Sequence, residues 1–486
     1  MTRRTSPEES REAEGRPRAA RRAVLTGGAV GLAAVAGSTL GRVQPASAQA
    51  STPSINDWIN VVTAEGADNT GATDATAAIN DALTAAATKT TPPDDSNPNG
   101  SAVVYLPVGT YMTTGPLNIP KGVTLRGATP TNHSGDGQTQ DFGSVIKPAG
   151  TWSTTEPVAG VITLNASSGP LARSAIESLW IDGSTLPVPG TGTPPAPPVD
   201  GIAGYGTVEA LTIRCVGVYS VTGTGIAGYS NGSAGPDGWL IENSVIQSCG
   251  GTAVVSGGNT TGSGYGVNFT GNDSHMNNVH AQASNNDGFL ITAGNNRLVG
   301  CRADQSLQGN GFTIDVRMGG GFSGSTSLIG CGTEQNCQNG LNVTNSAPSG
   351  NTISDPVIAS GCSFDGDGAN FSAPGTPQGG GNFAGISVAG KNIVILNGCN
   401  VNVYTPKPPT TSGWPQYAMS ISSIGSAPGF PMLVQAIGGF WNCEGTTLIN
   451  GFTGVAKAQN FLLNGFAGGQ IAGSDSITLV QSTSPS

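Results

Sequence analysis

Apolar and polar residues alternate along this chain in short bursts, each ended by a turn signal. Three stretches carry the pattern most clearly: VHAQASNNDGFL at Val279–Leu290, CRADQSLQGNGFT at Cys301–Thr313 and CGTEQNCQNGLN at Cys331–Asn342. Each starts on a small or apolar residue, has a polar residue three places on, and closes on Asp-Gly or Asn-Gly before a large apolar side chain. The closing glycines are Gly288, Gly311 and Gly340, so the period drifts between 23 and 29 residues. After each glycine, Phe289/Ile291, Phe312/Ile314 and Leu341/Val343 alternate with the strand period of two. Self-similarity at this spacing predicts stacked repeats, each burying its apolar side against its neighbours. We read every repeat as one rung of a parallel β-solenoid, an all-β fold with on the order of a dozen coils.

Strand-like runs extend the pattern on both sides, among them Ile176–Ile181, Trp239–Ile246, Ala253–Val255 and Tyr265–Phe269. Cysteine recurs at one point per coil, in Gly300-Cys301, Gly330-Cys331, Gly361-Cys362 and Gly398-Cys399. Stacked in register, these read as small buried hydrophobes rather than as a disulfide framework. Three Pro/Gly-rich stretches interrupt the rhythm: Leu186–Val199, Gly366–Gly381 and Pro406–Pro415. In a solenoid such insertions leave as loops on a flank, where they either wall a groove or are mere elaborations.

The 486 residues include 75 Gly and 32 Pro but only 10% charged residues, which suits many turns around a slender core. Arg21-Arg22 precedes the apolar run Gly27–Leu40 and a small-residue stretch ending at Ala50, the pattern of a twin-arginine signal peptide. That run is too short for a membrane span. Export and a secreted, extracellular location are the expectation. Residues 1–50 hold eight of the 20 Lys and Arg and four of the 30 Asp and Glu. The chain from residue 51 thus has 12 basic against 26 acidic groups, net −14. No basic patch is left to neutralise phosphates, which excludes nucleic acid as a partner, and a polyanionic glycan is disfavoured unless a cation bridges it.

Residues 51–127 resemble the entry module of the pectate-lyase superfamily of β-helix proteins, related to polygalacturonases and rhamnogalacturonases. The resemblance rests on three blocks in order: Val61–Ile79, Ala102–Tyr111 (AVVYLPVGTY) and Pro116–Ala128 (PLNIPKGVTLRGA). It implies a single-stranded right-handed parallel β-helix with an N-terminal capping helix. The expected divisions are a leader at 1–50, cap and first coils at 51–127, body at 128–440, and last coils with a polar tail at 441–486. Asp74 stands before the Ala-rich run Ala75–Ala87 and is suited to cap that helix; Asp68 and Asp74 are read as structural. The paired Asp-Asp, Gly-His-Gly and Arg-Ile-Lys motifs of the polygalacturonases are missing, so the resemblance carries the fold and not that activity.

Nucleophilic serine chemistry finds no support: His133, His275 and His280 are the only histidines and no Gly-x-Ser-x-Gly elbow occurs. His275 and His280 lie five apart with no nearby Cys pair, a poor zinc pattern. Carboxylates are the candidates, because glycosidic cleavage needs an acid and a carboxylate across the bond. Aligning the repeats stacks Gln282, Asp304, Glu334, Asp365 and Asn402 in one column, and alternation from an inward cysteine points the last four outward. Stacked acids either raise one another's pKa or hold a cation such as Ca²⁺. A second outward column contains Asp315 and Arg317. We take Asp304, Asp315 and Glu334 as catalytic candidates and Arg302, Arg317, His280 and Asp287 as substrate-binding candidates. Asp287, with column-mates Asn310 and Asn339, also reads as a plain turn residue.

The expected function is cleavage of an extracellular polysaccharide by hydrolysis. β-Elimination, assisted by Ca²⁺, and non-catalytic glycan binding are the alternatives. No metal ligand set and no oligomeric state is readable from the chain.

Overall fold

The computed structural model describes residues 58–89, 102–128 and most of 143–479, with gaps at 153–158, 191–195, 252–263, 317–323, 346–354, 403–414, 423–432, 452–460 and at shorter stretches. The leader read in residues 1–50 and the strand run expected at Ala253–Val255 lie outside the described residues. From Trp58 onward the chain winds through three parallel sheets of 14, 11 and 12 strands, here called A, B and C. Between Ala102 and Ser422 each coil takes one strand from each in that order, giving a right-handed parallel β-helix; among the described residues the coil before it has no sheet C strand and those after it have no sheet B strand.

The corners follow from backbone conformation. Between sheets A and B a single left-handed residue turns the chain: Ser178, Cys215, Asn243 and Asn278 in the earlier coils, then Gly300, Gly330, Gly361 and Gly398. Ser220, Ser248, Ala283, Gln305, Gln335 and Gly366 do the same after sheet B. Strands between corners are short, so the middle residue of a three-residue strand points inward and its flanks point outward. On sheet B the inward column runs Ile181, Val218, Ile246, Ala281, Ala303, Thr333, Phe364, Val401 in unbroken register, all buried. On sheet C the Phe289 and Phe312 rings stack with centroids 4.8 Å apart, a contact that adds to their area burial.

The cysteine column is part of this core. Cys301, Cys331, Cys362 and Cys399 are all buried. Each Sγ donates to a carbonyl of the preceding coil: Met276, Leu298, Leu328 and Ala359, at 3.2 to 3.5 Å. Against its hydrogen bond with Cys362, the bond with Cys301 and burial hold the Cys331 thiol up at about 12, so it is a packing group and not a nucleophile.

The repeat's closing glycine has a steric cause. A Cβ on Gly288 would stand 2.6 Å from Ala303 Cβ and 2.8 Å from the Gly311 carbonyl; one on Gly311 would stand 2.5 Å from Thr333 Cγ2 and 2.8 Å from the Gly340 carbonyl. Each rung therefore seats its corner against the next rung's inward side chain, where only hydrogen fits. The residue just before ties the same corner along the stack. Asp287 Oδ1 accepts from Asn310 N at 2.6 Å, Asn310 Oδ1 from Asn339 N at 3.0 Å, and Asn339 Oδ1 from Ala384 N at 2.9 Å. Asp200 begins the same column, accepting from Thr224 N at 2.6 Å.

At the N-terminal end, helix α1 (Val61–Glu65) and helix α2 (Thr76–Lys89) pack on the first coils. Asp74 Oδ1 accepts from Thr76 N at 2.9 Å and its Oδ2 from Thr114 Oγ1 at 2.6 Å. Burial opposes the charge, but these bonds outweigh it and lower the Asp74 pKa. Asp68 gathers the hydroxyl and backbone N–H of both Thr70 and Thr73, led by the Thr70 hydroxyl, and its pKa falls far below the usual carboxylate value. Both acids are structural. α2 buries Ile79, Ala82, Leu83 and Ala86 against the first coils and so covers an end whose apolar interior would otherwise face water. The three Pro/Gly-rich stretches all fall in the chain between a sheet B strand and a sheet C strand; parts of Leu186–Val199 and Gly366–Gly381 and nearly all of Pro406–Pro415 lie outside the described residues.

Two outcomes follow. Gly311→Ala forces a methyl group into the Thr333 contact and costs about 1–3 kcal/mol, read as a lowered denaturation midpoint; an unchanged midpoint would contradict the close approach. Asp367, buried behind sheet B, accepts from Thr333 Oγ1 at 2.5 Å and from Asn336 N and Nδ2 at 3.1 and 2.8 Å. Burial, only partly offset by these bonds, lifts its pKa from 3.8 to about 7. The folded state then holds a proton that the unfolded state has released, so this group's contribution to stability falls as pH rises from about 4 to about 7 and is flat above. Asp367→Asn removes that fall and leaves the protein on the order of 1–3 kcal/mol more stable above neutral pH; chemical denaturation across that range measures both.

Candidate functional site

The outer face of sheet B is built by the residues flanking the inward column. The last outward position of successive strands reads Asp182, Tyr219, Gln247, Gln282, Asp304, Glu334, Asp365, Asn402, in register throughout. The first outward position reads Val245, His280, Arg302, Gly332, Ser363, Asn400 over the later strands. The two columns come together chemically at one place. His280 Nε2–H donates to Asp304 Oδ2 at 2.8 Å. Arg302 Nε donates to the same oxygen at 3.1 Å, and its Nη2 donates to Glu334 Oε2 on the next strand at 2.8 Å.

Exposure differs within the cluster. The Asp304 side chain keeps 11% of its surface, His280 23%, Glu334 39% and Arg302 52%. Asp304 is thus seated at the bottom under two donors, and Glu334 stands at the rim under one. Burial works against the Arg302 charge, but Asp304 and Glu334 outweigh it and raise the guanidinium pKa further. One coil on, Asp365 accepts from Asn402 Nδ2 at 2.5 Å and from Ser363 Oγ at 3.1 Å. Among the described residues no three His, Cys, Asp or Glu side chains converge to hold a metal ion; between Asp304 and Glu334 the Arg302 guanidinium occupies the place a cation would take.

The structure brings together Asp304, Glu334, Arg302 and His280 and leaves the other candidates elsewhere. Asp315 is a correction to the sequence-based expectation. It lies on sheet C, in register with Thr344, and is 5% exposed. The alternation that set it opposite the inward Ile314 holds, but outward on sheet C is not solvent-facing there. Its expected partner Arg317 lies outside the described residues. Asp287 is also corrected as a substrate contact: it is buried at the sheet C corner, where it holds Asn310 N and Nδ2. Burial raises its pKa against those bonds.

Two further groups were not foreseen. Asp200 carries a burial-raised pKa of about 7 while accepting from Thr224 N and from Tyr229 Oη, the latter at 2.9 Å. As the first member of the corner column its carboxyl satisfies a backbone donor, which accounts for its burial without chemistry. Gln282 is the other. Its Oε1 is buried on the sheet B face and accepts no hydrogen bond among the described residues. The aligned repeats placed Gln282 in the acidic column, but an unmet acceptor is visible only in three dimensions.

Comparison with known proteins agrees with this architecture. A sequence model of the family described as rhamnogalacturonase A/epimerase, pectate lyase-like matches residues 58–303. No curated protein matches the chain in sequence. Among solved structures, the A-modules of the Azotobacter vinelandii mannuronan C-5 epimerases AlgE4 and AlgE6 superpose with TM-scores of 0.60 and 0.58 at 17% identity. Both cover 88% of this chain, and 100% and 99% of their own. The tailspike protein gp49 of Acinetobacter baumannii bacteriophage Fri1, a capsular polysaccharide depolymerase, gives 0.51 at 12% identity over 84% of this chain and 63% of its own. At such identities the likeness is one of fold.

Arg302 and Glu334 stand at the exposed rim, and His280 still holds Asp304 when the guanidinium is removed, so the Arg302 ion pairs contribute little to stability. Arg302→Gln should shift the unfolding free energy by less than about 1 kcal/mol, measured by denaturant titration. A loss of several kcal/mol would show the cluster to be a structural clamp instead.

Proposed function

This chain belongs to the rhamnogalacturonase A/epimerase, pectate lyase-like family, and from that membership we propose that it cleaves a polysaccharide laid along the outer face of sheet B, at Asp304 and Glu334. One observation carries the reading. Two carboxylates stand in register on neighbouring strands, joined by a single guanidinium, on an accessible sheet face. Neighbouring strands are about 4.8 Å apart, close to the roughly 5–5.5 Å separation of the two carboxyls in retaining glycosidases.

The division of labour follows from seating. Asp304, held by His280 and Arg302, is immobile and faces the sugar from below, the place of a nucleophile. Glu334, at the rim and bonded to Arg302, reaches the glycosidic oxygen and delivers the proton. Arg302 and His280 position the pair. That the similar folds include polysaccharide-acting proteins supports a carbohydrate substrate. All three Pro/Gly-rich stretches follow a sheet B strand in the chain, which suits walls for a long polymer beside that face. The twin-arginine pattern at Arg21-Arg22 supports work outside the cytoplasm.

A second reading has its own support. His280 paired to Asp304 is a proton-transfer arrangement, and beside Arg302 it would serve abstraction of a proton next to a carboxylate, the first step of β-elimination. The products separate the two. Hydrolysis yields new reducing ends without an unsaturated chromophore, and retention at the anomeric carbon marks the paired-carboxylate route. Asp304→Asn and Glu334→Gln should each lower kcat by about 10²–10⁴-fold, measured as release of reducing ends from a panel of polysaccharides. Full activity in both variants would sink the assignment, and binding without cleavage by the wild-type protein would leave a glycan-binding protein.

A further inference from the structure

The first outward position of sheet B changes size at the cluster. Val245, His280 and Arg302 are followed on successive strands by Gly332, Ser363 and Asn400. The last outward position keeps longer side chains alongside, in Asp304, Glu334, Asp365 and Asn402. Past Arg302 the face therefore steps down, and its lowest point is Gly332, two residues before Glu334 on the same strand.

Nothing in the fold calls for glycine at this point. Its φ lies outside the left-handed region, and the corner before the strand is made by Gly330 instead. A Cβ on Gly332 would meet nothing closer than the Ser363 carbonyl at 3.7 Å and Arg302 Cγ at 3.8 Å. Other strand glycines behave differently: a Cβ on Gly127, Gly160, Gly201, Gly217 or Gly385 would fall inside 3.0 Å of a neighbouring atom. Glycine weakens a strand, and where it persists it marks a bulge, a bend, or the close approach of a backbone or a ligand. Gly332 pairs in register with Arg302 and Ser363, so there is no bulge. Its clearance excludes a second backbone among the described residues. It is only half-buried, so the remaining partner arrives from solvent.

We propose that Gly332 is the floor of the sugar subsite beside the scissile bond, kept free of a side chain so that a ring can lie flat on its backbone. The inference rests on the proposed course of the polymer along sheet B, and on cleavage only for the position of the bond that is cut. A sugar ring carries C–H groups on its faces and hydroxyls around its edge. Face down on the Gly332 Cα it packs C–H against C–H. Its edge hydroxyls are then directed at Glu334 and at Ser363 Oγ, which donates to Asp365 and offers the sugar an acceptor. A methyl group at this position would hold the ring away from the sheet.

Stability and affinity should move in opposite directions. The full chain is screened for binding to galactan, xylan, glucan, mannan, polygalacturonate and alginate, and the polymer bound most tightly is carried to the variants. Gly332→Ala should keep or raise the denaturation midpoint, because alanine at an unstrained position restricts the unfolded chain, while Kd and KM rise about tenfold. Gly332→Val should raise Kd beyond the alanine value. A lowered midpoint in the alanine protein would show the position to be crowded and overturns the proposal. So does an unchanged Kd in the folded variants. A fall in kcat with Kd held would place the effect on Arg302, and overturns it too, as does failure of the wild-type protein to bind any polymer of the panel. Weakened binding in both variants, with no product from the wild-type protein, would defeat the cleavage reading while the floor stands.

Discussion

Two rungs of this solenoid can approach each other at the corner between sheets B and C only where no Cβ intervenes. Gly288, Gly311 and Gly340 each sit against the carbonyl of the next glycine in the column and against an inward side chain of sheet B. Parallel strands set the rung spacing at about 4.8 Å, and the cross-section is so slender that corner and core share the same space. The one-hydrogen clearance therefore decides the register of the entire stack. A slip by one residue would drive a side chain into backbone and turn every inward column outward.

With register fixed, equivalent positions become ladders, and each ladder has one task. Inward columns hold Ile, Val, Phe and thiols. The corner column holds Asp and Asn whose side chains take the next rung's backbone N–H, which is why Asp200 and Asp287 are buried acids with raised pKa values and no call on chemistry. Only outward columns are free to vary. On sheet B that freedom brings His280, Arg302, Asp304 and Glu334 within hydrogen-bonding distance across two neighbouring columns. The fold supplies a regular row of outward positions one rung apart, and the choice of residues along it gives one part amides and another a cluster of carboxylates.

Burial and function pull apart here in an instructive way. Large pKa shifts belong to groups that hold the solenoid together, among them Asp367 behind sheet B, Asp200 at the corner and Cys331 in the core. Perturbed acids are a fair pointer to active sites in clefts. In a stack of rungs they point first to carboxyls spent on backbone donors. The cluster on sheet B is recognised instead by shared partners and partial exposure.

The sequence alone determined a good deal. Because side chains alternate strictly in a strand and glycine recurs wherever a Cβ cannot fit, the Asn/Asp-Gly signal at 287–288, 310–311 and 339–340 disclosed the rung. The cysteine recurring from residue 301 disclosed the inward thiols, and counting three onward stacked Asp304, Glu334 and Asp365 correctly. Earlier coils hid the corner between sheets A and B, because Ser178, Cys215, Asn243 and Asn278 adopt the left-handed conformation that glycine takes later. Tertiary structure decided the rest. Alternation tells in from out but not which sheet a strand joins, so Asp315 looked like a companion of Asp304 and stands on another face. Nor can one-dimensional spacing show that Arg302 spans two coils, or that Gln282 Oε1 lacks a donor. Both are relations between strands more than 20 residues apart, set by how one rung lies on the next.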